Sequence, residues 1–363
     1  MKKTVFNLKR FDWILFTAVI FIISAGLIVQ YSLSLFQDNF FYFYRQLIFT
    51  GIGLGLFFLL IHLDYHFFRS YTYWFYLLAL FLLVLTLIFG KNYRGVKGWL
   101  SFGGINFQTV ELVKFVLIIM LADFWTKYCR KIFPIWRVVL SACLVCLPLL
   151  LVLKQPDMGS GILLVILWGI MFLLINRRAK LVLVISVLVI ILLTVSWFFV
   201  LRSYQQQRIL TFLGLRSDPM GIGWQVNQSL IAVGSGEFLG KGLGQGTQSQ
   251  LNFLPAVRTD FILSAFAEQF GFLGCSFLII ALLTILYRFI RIARQSKDQF
   301  GLFLILGICI VFFTQVFINF AMNVSLFPII GISFPLMSYG GSSLIITFVL
   351  LAVAENIYQF NHL

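Results

Sequence analysis

Asp260 opens a long apolar stretch, Phe261–Tyr287, in the run Arg258-Thr259-Asp260-Phe261. An acid beside a cation at the mouth of a membrane-length segment has the parts of a general base next to an anion site. A charge at bilayer depth costs roughly 2.5–3.5 kcal/mol on insertion scales, so it is usually turned inward for function. The plainer reading is a helix N-cap, a position at which Asp is common. By helical spacing Asp260, Ser264, Ala267, Gly271 and Gly274 would share one face of small residues, able to pack inside a bundle. Glu268 would lie about 12 Å deeper on the same helix, at ~1.5 Å per residue.

Four other segments could carry chemistry. In Tyr93-Arg94-Gly95-Val96-Lys97-Gly98-Trp99, two cations flanked by glycines could close on a phosphate, although Trp99 also fits an interfacial anchor. Glu111 and Lys114 are three apart, hence on one helix face, and pairing is the cheapest way to keep both in a membrane. Their reading is structural, beside a cavity. Gln155-Pro156-Asp157-Met158-Gly159-Ser160-Gly161 suits a helix start, with Asp157 at the positive end of the dipole. Between Asn319 and Ser343, residues including Asn323, Pro328, Pro335, Ser338, Gly340 and Ser342 interrupt the apolar pattern. A re-entrant loop there must be buried in protein or line a wet cavity. The Gly-rich stretch Gly234–Gly246 is not a phosphate-binding P-loop: Gly242, not Ser or Thr, follows Lys241, and no strand precedes it.

These residues sit in an apolar chain. Of 363 residues 61% are hydrophobic and 11% charged, against about 25% charged in soluble domains. The expectation is an all-α integral membrane protein in one polytopic domain, 1–363, of about ten spans. They fall near 13–35, 46–63, 73–90, 109–126, 138–153, 158–176, 181–200, 260–287, 300–322 and 343–359. A long structured loop, 201–259, would join the seventh and eighth spans on the outer side. Sixteen of the 27 cations fall on alternate connections, which places both termini in the cytoplasm. Ten remain outside, among them Arg94, Lys97, Arg208, Lys241 and Arg258, and so mark a site for a phosphate or pyrophosphate. The formal charge of +15 is read as topology and contact with anionic lipid, not nucleic acid. Cys143 and Cys146 are spaced C-x-x-C within an apolar helix and read as buried small residues, and no metal site is identified.

The chain resembles the SEDS (shape, elongation, division and sporulation) family of bacterial cell-wall polymerases. The resemblance rests on Arg94-Gly95 to Trp99, Gln108 to Lys114, Gln155-Pro156-Asp157-Met158-Gly159, Tyr204-Gln205 with Arg208, Thr259-Asp260-Phe261, and Pro335 to Ser343, in that order. Phe11-Asp12-Trp13 and Pro328-Ile329-Ile330-Gly331-Ile332 are more similar to the RodA branch than to the FtsW branch. The resemblance implies an inner-membrane glycosyltransferase acting on lipid II, the nascent glycan strand as acceptor, and a class B penicillin-binding protein as partner. It implies Asp260 as general base, Tyr204, Gln205 and the outer cations as contacts for substrate, and room for a divalent cation such as Mg or Mn. A flippase for lipid-linked precursors and a non-catalytic scaffold for a transpeptidase are the rival readings. Two departures stand out: Ala256 and Arg258 replace the family's usual Glu and His, and its common Glu-Glu reads Glu268-Gln269 here. A cation at 258 would hold Asp260 ionised.

Overall fold

A computed structural model describes residues 10–93, 95–103, 105–129, 133–175, 194, 201, 203–215, 221–251 and 253–362. The seventh expected span, 181–200, apart from Thr194, and Arg94 lie outside the described residues. Helices α1 (Trp13–Phe36), α2 (Phe41–Ile61), α3 (His66–Ser70) and α4 (Thr72–Phe89) lead into a small sheet. Then come α5 (Thr109–Tyr128), α6 (Pro134–Lys154), α7 (Met158–Ile175), α8 (Ser203–Phe212), α9 (Ile222–Ser235), α10 (Thr247–Gln250), α11 (Ile262–Gln295), α12 (Gln299–Asn323) and α13 (Gly341–Asn361). Eight of these are long and apolar enough to cross a membrane. The chain is a mostly helical membrane protein.

The sequence reading had no strand. Residues 91–108 instead form a three-stranded antiparallel sheet, β1 (Lys91–Tyr93), β2 (Val96–Phe102) and β3 (Ile105–Gln108), ordered β1-β2-β3, with Trp99 opposite Gln108. Alternating apolar residues and the turn glycines Gly95 (φ 85°) and Gly103 (φ 54°) supply the hairpins. The sheet lies against the ends of α4 and α6: Lys97 N donates to Gln155 O at 3.1 Å. It hands the chain directly to α5, so the first turn of α5, with Glu111, starts from a rigid strand.

Helix α5 is the most enclosed: every residue from Thr109 to Trp125 except Leu112 is buried, and it packs on α4 and α12. Its acids and lysines keep it from reading as a lipid-facing span, and packing compensates. Elsewhere α2 lies against α13 and α1 against α11. Lipid tails are as apolar as the side chains facing them, so helix contacts here rely on shape and on polar ties.

One such tie mends a break. Within α11, Gly271 takes φ 62°, ψ −161°, a conformation open in practice only to glycine. The stretch 236–242 from the loop takes up the freed backbone groups. Phe272 N donates to Glu237 O (2.9 Å) and Leu273 N to Phe238 O (3.0 Å), while Lys241 N donates to Glu268 O (2.9 Å) and Gly242 N to Gln269 O (3.1 Å).

Candidate active site

At the end of the bundle opposite the termini, a cavity of about 350 Å³ opens between α5, α7, α8, α9, the turn before α11 and the connection to α13. Its size falls within the roughly 300–1,000 Å³ usual for ligand pockets. Glu111, Lys114, Asp157, Gln205, Arg208, Asp260, Gly340 and Ser342 all line it. Residues separated by more than 200 positions thus face one space.

Each polar group is fixed by a local cause. Lys114 Nζ lies 2.7 Å from Glu111 Oε2, with side chains only 3% and 7% exposed, so the two charges compensate each other where water is scarce. Asp157 caps the first turn of α7, accepting from Ser160 N (3.0 Å) and Ser160 Oγ (2.8 Å), and also takes Gln108 Nε2 (3.3 Å). Ser342 Oγ accepts from Gln108 N at 3.3 Å, pinning the start of α13 to the end of the sheet. Arg208 Nη1 donates to Ile329 O at 2.9 Å, and Gln205 Nε2 to Pro156 O at 3.4 Å. Helix α8 is therefore bound to both neighbouring walls.

Asp260 is not on the helix. Ala256, at φ 55°, turns its carbonyl to accept from Thr259 N, Asp260 N and Phe261 N (3.0, 3.1 and 3.4 Å). The helix begins only at Ile262. The shared face expected for Asp260, Ser264, Ala267, Gly271 and Gly274 does not form, because that spacing needs continuous helix across a turn at 260 and a break at 271. Ser264 instead donates its N–H to Asn323 Oδ1 at 3.1 Å.

Several expected site residues are placed elsewhere. Lys241 Nζ sits 3.6 Å from Glu268 Oε1 and donates to Thr247 Oγ1 at 3.1 Å. Glu268 is fully buried and accepts from Gln248 N and Ser249 N, both at 2.9 Å, so it organises the loop and does not line the cavity. Lys97 Nζ turns to Ile88 O at 3.1 Å. Arg258 is buried and spends its donors on Gln30 Oε1 (3.1 Å), Ser34 Oγ (3.2 Å) and Gln37 Oε1 (2.9 Å), with its guanidinium 5.0 Å over the Tyr42 ring. Burial lowers its pKa, while these oxygens and the ring face keep the cation satisfied. The side chain expected to face Asp260 or a pyrophosphate is a strut to α1. Ser338 is buried behind the cavity wall, and Tyr204 lies in the first turn of α8.

Gln225 and Gln315 also line the cavity and had gone unremarked. Gln315 was detectable: with Asn319 and Asn323 it repeats every four residues in an otherwise apolar helix, one polar stripe on one face. Nothing separates Gln225 from the other polar residues of its loop. Among the described residues no group of three or more His, Cys, Asp or Glu is placed to hold a metal. Of the carboxylates that line the cavity, Glu111 is bound to Lys114 and Asp157 to Ser160.

A family model described as cell cycle protein, for FtsW, RodA and SpoVE, matches residues 7–363. The chain is 36% identical over 361 residues to the probable peptidoglycan glycosyltransferase FtsW of Trichlorobacter lovleyi, covering 97% of this chain and 94% of that one. It is 37% identical over 274 residues to the peptidoglycan glycosyltransferase MrdB of Escherichia coli, covering 75% and 73%. Among solved structures it is similar to a chain in a study of how a peptidoglycan synthase complex coordinates polymerization and crosslinking, with TM-score 0.81, 28% identity and coverage of 97% and 98%. It is also similar to a mutant of the rod shape determining protein RodA of Thermus thermophilus, with TM-score 0.73, 25% identity and coverage of 97% and 99%. Matched over residues 7–363, the chain belongs to the FtsW, RodA and SpoVE family.

Proposed function

We propose that this chain polymerises peptidoglycan, transferring the glycan of lipid II to a growing strand for cell-wall elongation and cell shape. It is a multi-pass protein of the bacterial inner membrane and a peptidoglycan glycosyltransferase, in keeping with its family and the names of its relatives. The observation that carries the reading is the sharing of one cavity by Asp260, Lys114 and Arg208. Asp260 is the general base that takes the proton of the acceptor's 4-hydroxyl. That oxygen attacks the donor's anomeric carbon with inversion, forming the β-1,4 bond. The bond to undecaprenyl pyrophosphate breaks, and its electrons leave on an oxygen stabilised by nearby cations, Arg208 and Lys114. Arg94 is a further candidate for that role on its motif.

In this reading both termini are cytoplasmic and the cavity opens on the extracytoplasmic face of the membrane, where polymer is assembled. A class B penicillin-binding protein packs against the membrane helices and supplies cross-linking. This part draws on the synthase complex whose chain the fold resembles. A flippase would need a path through the bundle. Beneath the cavity stand the Glu111–Lys114 pair and the buried residues of α5 and α12, which favour chemistry at one end.

The test is the purified protein in liposomes with lipid II and its penicillin-binding partner, followed for glycan polymer and for transbilayer movement of lipid II. Polymer is the expected result. Movement of lipid II without polymer would overturn the reading in favour of transport.

A further inference from the structure

Asp260 sits in a turn, and a turn does not by itself hold a side chain in one direction. The backbone of this turn is held by a set of bonds to three consecutive carbonyls. Arg258 O accepts from Gln30 Nε2 (3.0 Å) and Tyr339 N (2.8 Å). Thr259 O accepts from Ser338 Oγ at 2.6 Å. Asp260 O accepts from both Asn319 Nδ2 and Asn323 Nδ2, each at 3.1 Å. The donors arrive from α1, from the connection before α13 and from α12. Gln30, Asn319 and Asn323 are completely buried, and Ser338 is 4% exposed.

We infer that this clamp aims the Asp260 carboxylate into the cavity, so that Asn319, Asn323 and Ser338 are positioning residues for its chemistry. The inference rests on the reading of Asp260 as the general base. A buried carbonyl needs one donor to be satisfied, and Asp260 O receives two, filling both lone pairs. Two donors from adjacent turns of one helix fix the orientation of the peptide plane, and with it the direction in which Asp260 leaves the backbone.

The amides are themselves oriented. Asn319 Nδ2 also donates to Ile332 O at 2.7 Å, so the same group that holds Asp260 holds a second segment of the cavity lining. Asn323 Oδ1 accepts from Ser264 N, and Asn323 Nδ2 also donates to Asn319 O at 2.8 Å. Ser338 Oγ accepts from Phe334 N at 2.8 Å, which leaves its proton for Thr259 O. Each amide of this clamp in a membrane helix is costly unless bonded, and the bonds made converge on the turn that carries the acid.

Misplacing a catalytic group by about 1 Å can cost ~100-fold in rate. Lipid II polymerisation by the full-length protein with its partner would be compared for wild type, Asn319→Ala, Asn323→Ala, Ser338→Ala, Ser338→Thr and Asp260→Asn. The expected result is a loss of kcat of about tenfold or more in the three Ala variants, with KM within about twofold of wild type. Ser338→Thr, which keeps the hydroxyl, restores most of kcat. Should Asn323→Ala fail to fold, Ser338→Ala carries the test: it removes the donor to Thr259 O and the acceptor of Phe334 N but leaves both Asn amides in place. Wild-type kcat in the folded Ala variants, with Asp260→Asn inactive, would overturn the clamp and leave the base intact. Polymer made at the wild-type rate by Asp260→Asn would instead reject the reading on which the clamp depends.

Discussion

At the end of the bundle that bears the termini, charges meet other charges. Asp12 and Arg288, with side chains 1% and 4% exposed, lie 2.5 Å apart, and Asp12 N donates to Glu355. Asp123 takes both Lys127 (2.6 Å) and Arg69 (3.4 Å). Asp298 accepts from Tyr65 Oη and caps α12 through Gly301 N. At the other end Asp157, Arg208 and Asp260 face a cavity, and the neighbouring elements grip the backbone around Asp260. The same residue types serve two ends differently. Where ionic partners close on each other, removing one should cost stability. At the cavity, where Asp260 stands on a turn whose backbone is held by its neighbours, removing that carboxylate should cost chemistry and leave the fold in place.

The contrast can be broken at either end. The largest stability effect is expected from Arg288→Ala, which strands the buried carboxylate of Asp12. A loss of about 3–5 kcal/mol is expected, read as a lowered midpoint of thermal unfolding in detergent. Turnover per folded molecule should stay at the wild-type level. Reduced turnover with unchanged stability would place Arg288 among functional residues and erase the contrast.

Glu111 and Lys114 are the sharpening case, being both paired and in the cavity. Glu111→Ala alone should destabilise by about 3–5 kcal/mol, whereas Glu111→Leu with Lys114→Met should leave stability near wild type. If Lys114 faces substrate, the double variant still loses turnover. A stable and fully active double variant would make the pair purely structural.

A smaller effect concerns Tyr65. Burial, then the hydrogen bond to Asp298, raises its pKa above the usual value near 10. The folded state then keeps a proton that the unfolded chain gives up. The associated stability is fully present below about pH 10 and is lost as pH rises beyond it. Tyr65→Phe should flatten that alkaline loss in denaturation curves, and an unaltered slope would contradict it. The smallest change expected is a gain. Ala256 holds a left-handed backbone conformation that costs an L-residue about 1 kcal/mol, so Ala256→Gly should raise stability by about that much. A lower unfolding midpoint would show that the turn is not strained.

The helices at the two ends were equally readable, because a bilayer requires long apolar runs and these stand out in any sequence. Their interruptions were not. The break at Gly271 depends on backbone donors and acceptors arriving from residues 236–242, and nothing local at Gly271 announces them. The sheet formed by β1, β2 and β3 reads locally as a loop of glycines and cations, since its strands are short and it packs on α4, α5 and α13, far apart in sequence. Residues of the cavity could be singled out one by one as polar groups in apolar surroundings. Lys241 and Arg258 could not be sorted the same way. What holds each is a partner 27 residues away in one case and 228 in the other, and spacing along the chain does not report such contacts.

The central claim is that Asp260 takes the acceptor's proton. The direct measurement is the rate of lipid II polymerisation by the purified protein with its penicillin-binding partner, wild type against Asp260→Asn, each checked for monodispersity and partner binding. General-base catalysis contributes typically 10²–10⁴-fold, so the Asn variant should lose at least about a hundredfold in kcat while remaining folded and bound. A folded Asn variant that makes polymer at close to the wild-type rate would contradict the account.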